Sequence, residues 1–158
     1  MKNIFILFII LFNIQFCDAQ SESLDDGNFP LSLLSRNFEY LNQGNELFEK
    51  HPFLKRTELN SIIGCIYLLN DKEEEIKHVA LGRLEGIATQ LFNEGTPVIL
   101  ISGMDSTESA NKKNENLEDD NHIIYLSIAA CHVFEAESKA QKIFNAQTMK
   151  LIAQKNAF

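Results

Sequence analysis

Three apolar runs set the frame for any fold this chain can adopt: residues 62–69 (IIGCIYLL), Pro97 to Ser102, and Ile123 to Phe134. The first two are too short for an ordinary helix, and the first is rich in Ile. That predicts strands buried on both faces, the pattern of a parallel sheet covered on two sides. Between them lies a stripe at helical spacing, Ile76, Ala80, Leu84, Ile87 and Leu91, in a helix expected from Lys72 to Asn93. Asn70 or Asp71 caps it, Glu73 and Glu74 favour its first turn, and Gly95 stops it. Gly82 and Gly86, four apart, give it room to approach a sheet closely. Strand, helix and strand in that order predict a right-handed parallel crossover.

The flanks complete the pattern. Asn28 can cap and Pro30 can open a helix carrying Leu31, Leu34, Phe38 and Leu41, which Gly44 ends or bends. Leu47 and Phe48 make a further turn before His51 and Pro52. Residues 103–121 are polar, with Lys112, Lys113, Glu115, Glu118, Asp119 and Asp120 in succession, and are expected to form a mobile loop with at most one helical turn. Ile123 to Phe134 is then the third strand, and Glu135 to Ala157 a final helix that buries Ala140, Ile143, Phe144, Leu151 and Ile152. The expected fold is α/β: a small three-layer domain with a mainly parallel sheet of three or more strands flanked by helices.

A leader precedes this domain. Lys2, the apolar run Ile4 to Phe12 and the small residues Cys17 and Ala19 have the order of a secretory signal peptide, cleaved before Gln20. Its apolar core falls short of the roughly 20 residues that span a bilayer. Residues 20–158 are therefore expected to be a single secreted, extracellular, soluble domain. None of the thirteen Asn of that stretch is followed at the second position by Ser or Thr, so N-linked glycans are not expected.

Charge narrows the partners. The chain carries 14 Lys and Arg against 22 Asp and Glu, a net charge of −8. Nucleic acid and anionic membranes are bound chiefly by neutralising phosphates, and this balance repels them. Another protein is the expected partner, and oligomeric state is open.

With Cys17 removed in the leader, Cys65 and Cys131 remain. In an oxidising compartment they can pair, closing a loop that contributes about 4 kcal/mol in the chain-entropy model. The alternative is two small hydrophobes buried in separate strands. No C-x-x-C or H-x-x-x-H spacing completes a zinc tetrahedron, and neither a metal nor another cofactor is expected.

Ligands of α/β sheets collect at the carboxyl ends of strands, which directs attention to residues 70–73, 103–109 and 132–135. In the second of these, Asp105, Thr107 and Ser109 place a carboxylate and two hydroxyls close together, hard donors of the kind Mg²⁺ accepts, although Asp and Ser are also ordinary caps and turn formers. These three make a D-x-T-x-S sequence that resembles the D-x-S-x-S of the von Willebrand factor A domain, where the motif ends the first strand and holds a divalent ion. A second alignment resembles the same family differently, matching Ala80 to Met104 with a later helix and a strand ending in T-D-G. Ser102 and Gly103 then stand where Thr and the metal-binding Asp would be. The two alignments exclude each other, and what they imply is an architecture rather than a metal site.

No G-x-S-x-G, G-x-x-x-x-G-K-[ST] or G-x-G-x-x-G is present. The expected function is therefore non-catalytic protein interaction. The alternatives are a hydrolase with Cys131 or Ser102 as nucleophile and His132, His122 or His78 as base, and a degenerate adhesion domain of the von Willebrand A type. Intact mass of the secreted product tests the leader. It should correspond to Gln20 to Phe158, and retention of residues 1–19 would overturn that expectation.

Overall fold

The computed structural model describes residues 31–43, 46–51, 59–115 and 122–157. The leader, Asn28, Pro30, Gly44 and residues 116–121 lie outside them. The elements are α1 (Leu31–Leu41), α2 (Leu47–Lys50), α3 (Leu59–Leu68), α4 (Glu74–Asn93), β1 (Val98–Ser102), α5 (Ser106–Glu115), β2 (Ile124–Ala129) and α6 (Glu135–Lys155). The class is mixed α/β. Among the described residues the sheet has two strands, β1 and β2, paired in parallel.

The first apolar run is helical, which corrects the expected first strand. Periodicity alone cannot separate a short buried strand from a buried helix, and here exposure has the helical period: Gly64, Tyr67 and Leu68 are half-buried while Ile62, Ile63, Cys65, Ile66 and Leu69 are buried. A strand buried on one face would have alternated, and one buried on both would have shown no period of three to four residues. This helix packs on α4, α1 and α6.

A second correction concerns residues 103–121. Two parallel strands require a crossover, and α5 supplies it from within the stretch expected to be a loop. Its buried stripe is Ser106, Ala110 and Asn114, four apart on one face. Small and polar residues carry no hydrophobic signature, so the helix does not announce itself.

Other elements follow the sequence, except that β2 ends at Ala129 and residues 130–134 of the expected third strand leave the sheet. In α4, Ala80, Leu84, Ile87 and Leu91 are buried as expected, and full burial of one leucine contributes about 1.5 to 3 kcal/mol. The Asp71 carboxylate accepts the Glu73 N–H at 2.9 Å, so the helix starts one half-turn later than Lys72. At its other end Gly95 takes φ +83°, while its N–H reaches the Phe92 carbonyl and the Thr96 N–H the Leu91 carbonyl, both at 3.0 Å, a Schellman closure. Gly82 and Gly86 are exposed, with open space where a Cβ would stand. They do not mediate the expected approach to the sheet. In α6, Ala140, Phe144 and Ile152 are buried, whereas Ile143 and Leu151 are half-buried.

α6 packs on β1 and α4, and α5 and α1 pack on β2. A single core joins Phe38, Leu47, Ile62, Leu84, Leu100, Leu126 and Phe144 among others. The strand register runs from Val98 opposite Ile124 to Ile101 opposite Ser127. It then skips Ile128, so that Ser102 lies opposite Ala129.

Each strand has one edge facing its neighbour and one facing away. At Leu100, Tyr125 and Ser127 the outward N–H and C=O groups are met by side-chain amides. Leu100 donates its N–H to Asn145 Oδ1 and accepts from Asn145 Nδ2, both at 2.8 Å. Tyr125 does the same with Asn114, again at 2.8 Å. Ser127 pairs with Asn42 at 2.9 and 2.8 Å, and that amide also reaches the Phe38 carbonyl. A carboxamide carries the donor and acceptor of a peptide group, so each Asn acts as a one-residue strand.

Asn145→Ala should cost about 1 to 3 kcal/mol in denaturant unfolding, because both Leu100 groups lose their partner. Asn145→Asp keeps the acceptor and loses the donor. Its deficit should be comparable at neutral pH and should shrink as pH falls toward about 4, because the protonated carboxyl can donate to the Leu100 carbonyl and so takes up its proton more readily in the folded state than in the unfolded one. An Asp variant as stable as wild type at pH 7 would show that the amide donor contributes nothing.

Candidate functional site

The carboxyl ends of β1 and β2 meet at one end of the molecule. The Gly103 N–H donates to the Ala129 carbonyl at 3.0 Å, and Gly103 takes φ +120°, turning the chain out of the sheet. A positive φ of that size suits glycine, which lacks a Cβ. The Ser106 N–H then reaches the Gly103 carbonyl at 3.1 Å and starts α5.

Three serines lie beneath this end, and their hydroxyls are engaged. Ser106 Oγ donates to the Ala129 carbonyl at 2.8 Å and lies 2.7 Å from Ser127 Oγ. Since Ser106 has one hydroxyl proton, Ser127 donates to it. Ser102 Oγ donates to Gln141 Oε1. These bonds tie α5 and α6 to the strand ends.

Glu137 is the one carboxylate buried among the described residues, at 7% exposure. Its Oε2 accepts the Phe134 N–H at 2.8 Å, fastening the first turn of α6 to the chain leaving β2. Burial pushes the carboxyl above its ordinary range, opposed by hydrogen bonds from the Phe134 and Glu137 backbone.

The end is also shared by α4. The Glu74 carboxyl is held below its usual range first by its 2.7 Å hydrogen bond with Lys77 and further by the charge of Lys139 on α6. Lys77 is raised first by Glu74 and also feels Glu135. The first turns of α4 and α6 therefore lie side by side.

On the outer surface the residues after each strand are exposed. Met104 is 79% exposed, Phe134 59% and Val133 41%, with Asp105, Cys131 and His132 also open to solvent. These three exposed apolar side chains lie on the two segments that leave β1 and β2.

The candidate binding residues Asp105, Thr107 and Ser109 lie at the start of α5. Asp105 precedes the helix and its carbonyl accepts the Ser109 N–H at 2.8 Å, so Asp105 and Ser109 follow one face. Thr107 lies roughly 200° away around the axis. Asp105 is exposed and the other two half-buried. Among the described residues no three His, Cys, Asp or Glu side chains group as metal ligands.

Cys65 is buried in α3 and Cys131 is exposed beyond β2, each a free thiol, which matches neither the possible bridge nor two hydrophobes buried in separate strands. Burial raises the Cys65 thiol, with the Arg83 charge opposing. Of the residues considered for hydrolysis, Ser102, Cys131 and His132 lie at or just beyond the carboxyl ends of the strands. His122 precedes β2, at the far end of that strand from Ser102 and His132, while His78 Nδ1 lies 2.7 Å from the Glu74 carbonyl on α4.

Sequence reasoning missed Asn42, Asn114, Asn145 and Gln141, and it missed the exposed Met104, Val133 and Phe134. A signal existed for one of them, the four-residue spacing of Ser106, Ala110 and Asn114.

Among the described residues no helix is long and apolar enough to cross a membrane. Comparison with protein families, curated proteins and solved structures gives no match.

The raised Glu137 carboxyl has a consequence for stability. A group whose carboxyl is raised on folding contributes stability below its unfolded value, and that contribution is lost as pH rises through the folded one. Glu137→Gln keeps an acceptor for Phe134 and removes the buried charge. The melting temperature of the variant relative to wild type should therefore rise between about pH 4 and pH 7. A relative melting temperature that falls over this window would mean that the charge stabilises α6.

Proposed function

We propose that this chain is a secreted, acidic, non-catalytic domain that binds another protein through the carboxyl end of its sheet. The observation that carries this reading is the exposure of Met104, Val133 and Phe134 on the two segments that leave β1 and β2. Isolated exposed apolar residues are ordinary on any surface, whereas three on adjoining segments at a strand-end position are the arrangement expected of a contact surface.

The chemistry of the nearby polar groups supports a scaffold role. Ser102, Ser106 and Ser127 spend their hydroxyl protons on Gln141, the Ala129 carbonyl and one another. Such bonds hold the strand ends rigid beneath the exposed side chains, which limits the ordering a surface must undergo on binding.

A photo-crosslinking residue at position 134 of the secreted protein tests this. It should form an adduct with one protein of the extracellular fluid, and the same probe at Met149, exposed near the far end of α6, should not. Equal labelling from both positions would overturn the proposed surface. Ester or peptide hydrolysis abolished by Cys131→Ser would replace it with the hydrolase reading.

A further inference from the structure

We infer that the element received at this surface is a basic protein segment, one that sets apolar side chains among Lys or Arg; the inference rests on the docking reading above and adds the partner's chemistry to it. Segments 71–78, 103–108 and 130–139, which lead into α4, α5 and α6 at this end of the fold, carry eight carboxylates, one of them the buried Glu137, against three lysines, which is five of the chain's eight net negative charges. Asp105 adjoins Met104 and Glu135 adjoins Phe134 in sequence, Glu108 follows three residues after Asp105, and all three carboxylates are exposed.

Three helices, α4, α5 and α6, begin at this end, and their dipoles lessen the field. Each contributes about half a positive charge at its first turn, roughly 1.5 in all, which does not cancel five. The dipoles explain how the carboxylates are tolerated there and leave the end electronegative.

That field selects among occupants. A second copy of the chain would bring two acidic ends together, and like charges across an interface are repelled. Phosphate-bearing partners are repelled for the same reason. A segment with Lys or Arg around a leucine or aromatic anchor satisfies both halves of the surface. The apolar side chains supply burial, and the rim supplies orientation and faster encounter.

Binding of synthetic amphipathic peptides to the mature full chain, followed by calorimetry, tests the inference. A leucine–lysine peptide should bind at least about tenfold more tightly than a leucine–glutamate peptide of the same length, and more weakly as salt rises. Asp105→Lys with Glu108→Lys should weaken it by about tenfold, whereas Glu94→Lys with Glu115→Lys, at the opposite ends of α4 and α5, should change it by less than about threefold. All four positions are exposed, so the fold is preserved.

Equal loss from both pairs would mean that only net charge is sensed, which overturns the inference. Equal binding of the two leucine peptides would remove the charge claim and leave the docking surface standing. A serine–lysine peptide that binds as tightly as leucine–lysine, unaffected by Met104→Ser with Phe134→Ser, would overturn the docking surface itself. Sedimentation of the protein with phosphatidylcholine vesicles, lost in Phe134→Ser, would assign the face to a lipid surface instead.

Discussion

Side-chain amides closing the outer edges of a two-stranded sheet are the constraint on which this structure depends. Parallel strands are normally buried in wide sheets, where each interior strand satisfies its neighbours on both sides. Here Leu100, Tyr125 and Ser127 point their backbone groups away from the partner strand and find Asn145, Asn114 and Asn42. A buried backbone group without a partner costs about 1 to 3 kcal/mol, comparable to the burial of a leucine, so six such groups would outweigh much of the core around them. The helices thus serve the sheet twice, with apolar stripes on its faces and amides at its edges.

Much of the helical frame was legible. The stripes of α1 and α4 and the beginnings of β1, β2 and α6 follow from period and capping, because a long amphipathic pattern has few alternative readings. The run at residues 62–69 reads as a strand for a physical reason. Ile favours strands through its packing on a pleated surface, yet helix burial on nearly all sides accommodates it equally well, and the half-buried Gly64, Tyr67 and Leu68 reveal the helix only once exposure is known. Residues 106–115 escaped notice for the opposite reason. Their inward face is Ser, Ala and Asn, chosen for reaching a strand edge rather than for leaving water.

The site was less legible than the fold. Composition pointed to Asp105, Thr107 and Ser109 because such donors bind cations when a loop gathers them. Once the segment winds into α5, Thr107 departs from the other two, and the residue with a structural task is Ser106 between them. Gln141 and Asn145 lie in a helix whose sequence otherwise reads as ordinary amphipathic, and Ser102 and Leu100, their partners, are about 40 residues away along the chain. No local pattern encodes such pairings. Exposure of Met104 and Phe134 is equally invisible, since apolar residues beside a strand are expected to be buried.

The blocked edges also decide how such a domain can go wrong. A strand with free edge groups is a template on which another chain can lay a further strand, the first step toward fibrils. In this protein an incoming strand must first displace an amide that already satisfies both groups at Leu100 or at Tyr125. Growth of the sheet by recruitment of neighbours is therefore obstructed at the positions where a two-stranded sheet is most exposed to it, and the protection comes from three asparagines rather than from additional strands.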